Sequence, residues 1–496
     1  MMLADAIEGI TGVRPARPSL AATRVSQVVV DSRQVTPGGV FFAEHSGARD
    51  GHQFVPDALA RGAVAVVVEP TGLAYVKNLT RIETTGPDDM AGAVRLVAPL
   101  AAASTPIAIV VDDSLAALQR FAAFWRAHMP VRVIGITGSI GKTTTKELMA
   151  AVLSQRYRTL KSEASYNNEI GLPLTLLRLT PEHERAVLEM GMYAIGEIRQ
   201  MCEWARPEVG VETMVGPVHL ERLGSIENIA IAKTELVEAL PPEGTAILNA
   251  DDPRVLAMRE KTRARVFTYG LTPTADLWAD RVDSRGLEGV TFTVHYKGDS
   301  LRVDAPLIGR HSVHTALRAI AVGLVEGLTW EEIIAGLQSQ PAQVRLVVVQ
   351  ALNGATLLDD TYNSSPDSSL AALNLLKEMP GRRIAVLGDM LELGAYEAQA
   401  HRVVGCRAAE VVNRLIAVGA LARGIADGAR ECGMSDESIE WYPDKEAALV
   451  ALQGAIGTGD FVLIKGSRGM RMETMVAELT GQGTNGGEAA GAERQA

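Results

Sequence analysis

The fold of the central part of this chain is decided by the stretch Ile134-Gly135-Ile136-Thr137-Gly138-Ser139-Ile140-Gly141-Lys142-Thr143-Thr144-Thr145. An apolar run precedes it at residues 131–136 and a helical pattern follows at residues 142–153, which predicts a strand, a glycine-rich turn and a helix. Such a turn points backbone N–H groups inward, and the start of the helix adds positive partial charge, so that together they bind phosphate oxygens. We expect Lys142 to reach the outer phosphates of a nucleotide and Thr143 to bind Mg²⁺.

This loop departs at one position from the common phosphate-loop pattern G-x-x-x-x-G-K-[ST]. The first glycine of that pattern would stand at position 136, where this chain has isoleucine. Gly141, Lys142 and Thr143 nevertheless stand where contacts to phosphate require them. We therefore interpret the stretch as a variant phosphate loop rather than as a turn without a ligand.

The chain divides into three predicted folded segments and a tail. Residues 1–112 contain short β-like runs between polar and glycine-rich turns. In residues 113–336 apolar strands alternate with helical patterns, which indicates a mostly parallel sheet covered by helices, and residues 290–303 predict an added antiparallel hairpin. The same alternation begins again in residues 337–480. The glycine-rich tail, residues 481–496, has too little apolar surface to order itself and is predicted to be disordered.

Length, charge and hydropathy limit what the protein can be. A chain of 496 residues favours about three domains. The 48 basic and 59 acidic residues give a net charge of −11, which disfavours broad nucleic-acid binding. The apolar stretch at residues 96–111 is shorter than the ~20 residues that span a bilayer, and the first ten residues lack a signal-peptide pattern. We expect a cytoplasmic monomer that neither crosses a membrane nor binds nucleic acid.

The three cysteines, Cys202, Cys406 and Cys432, are scattered along the chain without a C-x-x-C pair. This spacing predicts neither a disulfide framework nor a cysteine-based zinc site, and it fits a reducing compartment.

Motifs that resemble those of the Mur ligase family extend over most of the chain. The phosphate loop resembles that family's Thr-Gly-x-x-Gly-Lys-Thr variant. The other matching segments are Asp31-Ser32-Arg33, Asp50-Gly51-His52, Asn167-Asn168-Glu169-Ile170-Gly171, Leu188-Glu189-Met190-Gly191, His219-Leu220-Glu221 and Lys465-Gly466-Ser467-Arg468. The resemblance implies an α/β fold in three domains: an N-terminal α/β UDP-binding domain, a central P-loop ATPase domain with a parallel sheet and appended antiparallel strands, and a C-terminal Rossmann-like domain.

The resemblance also implies a set of functional residues, with ATP and Mg²⁺ as cofactors. The residues implied for ATP are Thr137, Gly138, Ser139, Ile140, Gly141, Lys142, Thr143, Thr144, Asn168, Arg345, Asp360 and Asn363. The residues implied for catalysis are Lys142, Glu189, His219 and Lys233. The implied metal ligands are Thr143, Glu189, His219 and, once carbamylated by CO₂, Lys233. The residues implied for the UDP-substrate are Ser32, Arg33 and Asp50, and those for the acceptor are Asp389, Lys465 and Arg468.

Considered without the resemblance, several of these residues have simpler interpretations. Glu189 is well placed for a metal at the end of a strand, but it could be an exposed strand-end acid. His219 could be a hydrogen-bonded loop residue, and Lys233, in a helical pattern, a solvated surface charge. Asp360 could belong to a capped turn and Lys465 to a basic surface turn.

Two segments narrow the implied activity within the family. They are Asp359-Asp360-Thr361-Tyr362-Asn363 and Gly388-Asp389-Met390-Leu391-Glu392-Leu393-Gly394. They resemble the member that joins D-alanyl-D-alanine to a UDP-N-acetylmuramoyl tripeptide in peptidoglycan precursor synthesis. The implied enzyme is an ATP-dependent acid–amino-acid ligase that forms a C–N bond through an acyl phosphate, because a carboxylate by itself is a poor electrophile. The alternatives are a Mur-type ligase that adds one amino acid, folylpolyglutamate synthetase, or a nucleotide-binding regulatory module without ligase activity.

One segment departs from the family pattern Gly-x-His-Asn-x-x-Asn. Here the stretch reads Gly309-Arg310-His311-Ser312-Val313-His314-Thr315, with Ser and Thr in place of both Asn residues. An amide that both donates and accepts hydrogen bonds is thus lost twice, which changes how a nucleotide base could be recognised.

Overall fold

The computed structural model describes residues 1–15, 18–46, 49–84, 94–97, 105–339 and 346–482. Three large sheets, two with six strands and one with nine, organise this described part of the chain. The predicted three-domain α/β architecture is confirmed, with one sheet in each segment. The predicted boundaries at residues 112, 336 and 480 stay a prediction, and Arg345 and most of the predicted tail lie outside the described residues.

The N-terminal sheet is mostly parallel, with strand order β1-β2-β5-β8-β6-β7. Its elements, with the small β3–β4 hairpin, are α1 (Leu3–Thr11), α2 (Pro18–Ala22), β1 (Val28–Val29), β2 (Val40–Phe42), β3 (His45–Ser46), β4 (Arg49–Asp50), α3 (Val55–Ala60), β5 (Ala65–Val68), β6 (Thr80–Thr84), β7 (Val94–Val97) and β8 (Ile107–Val110). Strands β2, β5 and β8 are buried throughout, as expected for central strands of a covered parallel sheet.

The central sheet has the order β10-β11-β9-β12-β13-β14-β15-β16-β17. Its strands are β9 (Arg132–Thr137), β10 (Thr159–Lys161), β11 (Arg185–Glu189), β12 (Val209–Glu212), β13 (Thr245–Asn249), β14 (Arg265–Gly270), β15 (Leu277–Ser284), β16 (Val290–Tyr296) and β17 (Asp299–Ala305). Its helices are α4 (Ser114–Ala127), α5 (Lys142–Leu153), α6 (Gly171–Leu176), α7 (Glu197–Ala205), α8 (Leu220–Leu223), α9 (Ile226–Glu238), α10 (Pro253–Ala257), α11 (Ser312–Val325) and α12 (Trp330–Ser339).

The parallel part of this sheet runs from β10 to β15, and β16 and β17 extend it in antiparallel fashion. The β16–β17 connection turns at Lys297 and Gly298, both with positive φ, as a tight hairpin requires. The antiparallel hairpin predicted at residues 290–303 is therefore confirmed.

The C-terminal sheet has the order β18-β19-β23-β20-β21-β22, parallel except for β18. Its elements are β18 (Val347–Gln350), β19 (Thr356–Asp360), α13 (Pro366–Lys377), β20 (Arg382–Gly388), α14 (Glu397–Val411), β21 (Arg414–Val418), α15 (Arg423–Glu431), β22 (Ile439–Tyr442), α16 (Lys445–Gln453), β23 (Asp460–Lys465) and α17 (Glu473–Thr480). In the described part of the chain, no helix is long and apolar enough to cross a membrane.

The cysteine expectation was wrong for one pair. Cys406 on α14 and Cys432, just after α15, form a disulfide with a Cα–Cα distance of 5.1 Å. The reason is tertiary: α14 and α15 pack closely because a glycine on each helix faces the backbone of the other. A Cβ at Gly405 would lie 2.0 Å from the Ile425 carbonyl oxygen, and one at Gly428 would lie 2.4 Å from that of Arg402.

Gly405→Ala tests this close packing. Alanine favours a helix by about 1 kcal/mol over glycine, but overpacking against the α15 backbone costs about 1–3 kcal/mol. We expect a net loss of stability, seen as a lower unfolding temperature in calorimetry. The matched control is Gly454→Ala, since nothing lies within 4 Å of a Cβ there. A Gly405→Ala protein at least as stable as the control would contradict the close packing.

Candidate active site

A cavity of about 1170 Å³ lies where the central and C-terminal domains meet. The central domain contributes the phosphate loop, the end of β11 and the start of α11; the C-terminal domain contributes the segments after β19 and β23. Loops at the carboxyl ends of parallel strands are the usual place for a ligand in α/β proteins. The cavity therefore gathers the phosphate loop and the predicted C-terminal residues at one edge.

The phosphate loop has the geometry that its glycines predicted. Gly138 has φ +138° and Gly141 φ +84°, and α5 begins immediately afterwards at Lys142. A Cβ at Gly138 would lie 1.8 Å from Thr213 Oγ1, so that only glycine fits. Lys142 Nζ donates to the Gly138 carbonyl oxygen at 2.9 Å, which folds the lysine back over the loop. The loop thus presents the N-terminus of α5 and an ammonium group to the cavity.

Glu189 is fully buried at the carboxyl end of β11. One carboxylate oxygen accepts a hydrogen bond from Thr143 Oγ1 at 2.8 Å, and the other accepts one from Asn167 Nδ2 at 2.8 Å. The structure therefore brings together Thr143 and Glu189, two of the predicted metal ligands.

Two asparagines follow β10 in the chain and make different contacts, and the predicted role of Asn168 stays a prediction. Asn168, predicted for ATP, lines the cavity, but its Oδ1 accepts from the Gly171 N–H at 2.9 Å at the start of α6. Its neighbour Asn167 holds Glu189. The sequence analysis missed Asn167 as a site residue, although it stands in the same quoted motif.

His219 lies just before α8, with φ +55°, and joins two domains. Its Nδ1 is 2.7 Å from Glu392 Oε2 of the C-terminal domain, and the Tyr193 ring packs edge-on at 4.9 Å. Burial lowers the pKa of His219, which favours the neutral imidazole. When Nδ1 donates its proton to Glu392, Nε2 keeps a lone pair of the kind with which a neutral imidazole can bind a metal.

Lys233 is buried on α9 and lines a smaller cavity of about 320 Å³, together with Lys142, Asn167 and His219. Burial, with the charge of Lys142, lowers the pKa of Lys233 to about 7, against the opposing charge of Glu212. Near neutral pH a large share of its amine is therefore uncharged. Lys233 is thus not the solvated surface lysine that composition alone favours.

Glu212 is a buried acid that the sequence analysis missed. It ends β12, is fully buried, and neither carboxylate oxygen has a hydrogen-bond partner among the described residues. Burial raises the pKa of Glu212, which favours its protonated form. Sequence carries little signal for it, since a glutamate after Val209-Gly210-Val211 resembles any acid at the end of a strand.

The C-terminal residues predicted for ATP and the acceptor are partly engaged with one another. Lys465 is buried and its Nζ donates to Asp360 Oδ2 at 2.7 Å and to the Asn363 carbonyl oxygen at 2.8 Å. Arg468 lines the cavity, with its guanidinium 5.8 Å from the Tyr362 ring centroid. Asp389 is buried and accepts from the Ala422 N–H at 2.7 Å, which ties it to the start of α15.

The three residues predicted for the UDP-substrate lie apart from the phosphate loop. Ser32 is buried, Arg33 is ion-paired to Asp31 at 2.7 Å, and Asp50 accepts from the His52 N–H at 3.0 Å. Of the described residues of the N-terminal domain, Val30 lines the large cavity. The structure therefore does not bring Ser32, Arg33 and Asp50 to that cavity, and their role stays a prediction.

Three family models match the chain in succession. They are "Mur ligase family, catalytic domain" at residues 24–126, "Mur ligase middle domain" at residues 136–323 and "Mur ligase, glutamate ligase domain" at residues 344–468. Relatives more than 30% identical cover most of the chain as well. The chain belongs to the Mur ligase family.

Individual relatives make the likeness more specific. A protein of Synechocystis named UDP-N-acetylmuramoyl-tripeptide–D-alanyl-D-alanine ligase is 36% identical over 462 residues, which is 92% of each chain. The solved structure of MurF from Acinetobacter baumannii is similar with a TM-score of 0.80, 28% identity, and coverage of 97% of this chain and 99% of that one. MurF from Thermotoga maritima, solved in complex with ADP, is similar with a TM-score of 0.74, 26% identity, and coverage of 93% and 97%.

The buried pair of Lys465 and Asp360 has a testable energetic consequence. Removing one partner leaves the other charge buried and unpaired, which costs about 3–5 kcal/mol. We expect Lys465→Met to lower the unfolding temperature of the C-terminal domain, and the double variant Asp360→Asn/Lys465→Met to recover most of the loss.

Lys445→Met serves as the control for this pair, because its ammonium group contacts two backbone carbonyl oxygens rather than a buried acid. Thermal unfolding of the four proteins measures the effect. A Lys465→Met protein as stable as the control, or a double variant no better than the single one, would show that the pair does not stabilise the domain.

Proposed function

We propose that this protein is an ATP-dependent ligase that joins D-alanyl-D-alanine to a UDP-N-acetylmuramoyl tripeptide in peptidoglycan precursor synthesis. The observation that carries this proposal is the single cavity that contains the phosphate loop, Glu189, His219 and the C-terminal Arg468. The activity in the name of the Synechocystis relative, and the ADP in the Thermotoga maritima complex, support it. Because ATP is a cytoplasmic substrate, we place the reaction in the cytoplasm; a monomer stays our expectation.

The chemistry has two steps. The terminal carboxylate of the tripeptide attacks the γ-phosphorus of ATP, the bond to the β-phosphate oxygen breaks, and ADP and an acyl phosphate result. The dipeptide amine then attacks the acyl carbon, loses a proton, and displaces inorganic phosphate as the amide forms. Lys142 and the N–H groups at the start of α5 neutralise the phosphate charge, and the interdomain cavity limits access of water that would hydrolyse the acyl phosphate.

The donor set near the loop fits Mg²⁺ held together with a nucleotide. Thr143 and Glu189 would hold one ion and His219 a second, and each ion would supply positive charge against the phosphates. Within the described residues, no group of three or more His, Cys, Asp or Glu side chains forms a complete metal cage. Mg²⁺ is usually bound by one or two carboxylates plus substrate phosphates, and Glu189 would supply such a carboxylate.

For the acceptor, we assign the free carboxylate of the dipeptide to Arg468. Its guanidinium lines the cavity, although its Nη1 also lies 3.5 Å from Glu473 Oε1. An arginine can bind a carboxylate through two parallel hydrogen bonds. Lys465 and Asp389, which the sequence also suggested, have buried partners in the protein, and we assign them to holding the shape of this wall. Ser32, Arg33 and Asp50 remain our candidates for the UDP-substrate.

The acceptor choice is tested with purified protein, ATP, Mg²⁺ and the UDP-tripeptide, offering D-alanyl-D-alanine or single amino acids in turn. We expect kcat/KM to favour the dipeptide by roughly 100-fold or more. A shorter acceptor leaves polar groups of the site without the hydrogen-bond partners that the dipeptide supplies. Product mass and phosphate release measure the reaction, with Lys142→Ala as the negative control. Preference for a single amino acid indicates a different Mur-type ligase; nucleotide binding without turnover on any acceptor indicates a regulatory module.

We further propose that Lys233 is carbamylated. The uncharged amine is the form that reacts with CO₂, and burial beside Lys142 favours it. The carbamate would replace a cation by an oxygen donor of the kind that Mg²⁺ prefers.

Lys233→Ala tests this modification. We expect ligation to fall by at least about tenfold, and bicarbonate to stimulate the CO₂-depleted wild-type protein but not the variant. The control is Lys261→Ala, which removes an exposed lysine of the same domain. Full activity of Lys233→Ala, with no bicarbonate dependence in the wild-type protein, would rule the carbamate out.

A further inference from the structure

Arg318 is a buried cation in the wall of the large cavity. It stands on α11, which packs against α5, and only 6% of the residue is exposed. Its Nε donates to the His314 carbonyl oxygen at 3.0 Å and its Nη1 donates to Thr145 Oγ1 on α5 at 2.5 Å. The guanidinium carbon lies 5.9 Å from the Tyr269 ring centroid. All of these neighbours are uncharged.

No carboxylate in the part of the chain that the structure describes forms an ion pair with Arg318. Within that part, its Nη2 also has no hydrogen-bond partner. Asp251, the acid on the nearby strand end, is bonded to His314 Nε2 at 2.8 Å and to the Leu271 N–H at 2.7 Å. A buried charge is costly unless it is paired.

Arg126 is a second buried arginine, and its hydrogen bonds provide a comparison for those of Arg318. Arg126 is 7% exposed and also lacks an acidic partner at ion-pair distance within the described residues. Each of its three nitrogen atoms, however, donates to a backbone carbonyl oxygen, of Ala205, Met129 and Arg206. Arg126 is therefore satisfied by the fold, whereas Arg318 keeps a donor group facing the cavity that it lines.

The position of Arg318 indicates where an anion would bind. A Cβ built on Gly141 would lie 3.0 Å from Arg318 Nη1, so the guanidinium lies directly over the last glycine of the phosphate loop. Lys142, at the start of α5, lines the same cavity as Arg318. Arginine suits phosphate because its planar fork donates two parallel hydrogen bonds.

We propose that Arg318 is a nucleotide-binding residue whose guanidinium neutralises a phosphate group of ATP beside the last glycine of the loop. This inference rests on the proposed use of ATP, but not on the identity of the acceptor. Arg318 follows Ser312 and Thr315 on the same helix, so the segment that lacks the two family amides is followed by a charged group at the nucleotide site.

The test compares Arg318→Met, Arg318→Lys and the control Arg263→Met. Arg263 is an exposed arginine of the same domain that precedes β14 and does not line the large cavity. For Arg318→Met we expect the dissociation constant of MgADP and the KM for ATP to rise roughly 10- to 100-fold, while the KM for the UDP-tripeptide stays within about twofold. Arg318→Lys should lie between wild type and Arg318→Met, and the control should match wild type.

Thermal unfolding gives a second test, in which the substitution is expected to weaken nucleotide binding without lowering the stability of the ligand-free protein. Because an unpaired buried charge destabilises the empty protein, ligand-free Arg318→Met should unfold at the same or a higher temperature than wild type. Its stabilisation by MgADP should be smaller. A lower ligand-free unfolding temperature with an unchanged MgADP dissociation constant would overturn the inference, as would failure of both Arg318 variants to fold.

The two proposals fail in different ways. If wild type binds MgADP and Arg318→Met binds it weakly, but neither ligates D-alanyl-D-alanine, the inference on Arg318 stands and the proposed function falls. If ligation of the dipeptide is normal and MgADP binding is unchanged by the substitution, the proposed function stands and the inference falls.

Discussion

Strand β9 is paired on both sides by parallel strands, β11 and β12, and this pairing sets the position of every group at the phosphate loop. The register places Glu189 beside Ile136 and Glu212 beside Thr137. The strands approach so closely at their ends that Thr213 excludes any side chain from position 138. The chain has to turn through Gly138, and that turn directs the start of α5 toward the space in which the C-terminal domain meets the central one.

The parts of the site that follow from local pattern could be predicted from sequence. The loop, the helix Lys142–Leu153 and the acid at the end of β11 are each specified by residues close together in the chain, and the structure has all of them. The antiparallel extension of the central sheet could also be predicted, because the alternation of apolar and polar residues and the turn at Gly298 are local signals.

The parts that depend on packing between distant elements could not be predicted in the same way. Lys465 and Asp360 lie on neighbouring strands that are 105 residues apart in sequence, and their pairing is visible only in the folded sheet. Cys406 and Cys432 meet because two helices pack through glycines. Arg318 has the local pattern of an ordinary helical arginine. Its burial follows from the packing of α11 on α5, which no short stretch of sequence encodes.

Specific polar contacts join the central and C-terminal domains. Ser165 Oγ hydrogen-bonds the Tyr362 hydroxyl, and Ser284 Oγ donates to Glu378 Oε2 at 2.5 Å. His219 makes the contact with the largest chemical consequence, since its partner Glu392 belongs to the other domain. Any separation of the two domains has to break that bond, which removes the carboxylate partner of Nδ1. The hydrogen bonding of the His219 imidazole is therefore coupled to the docking of the two domains.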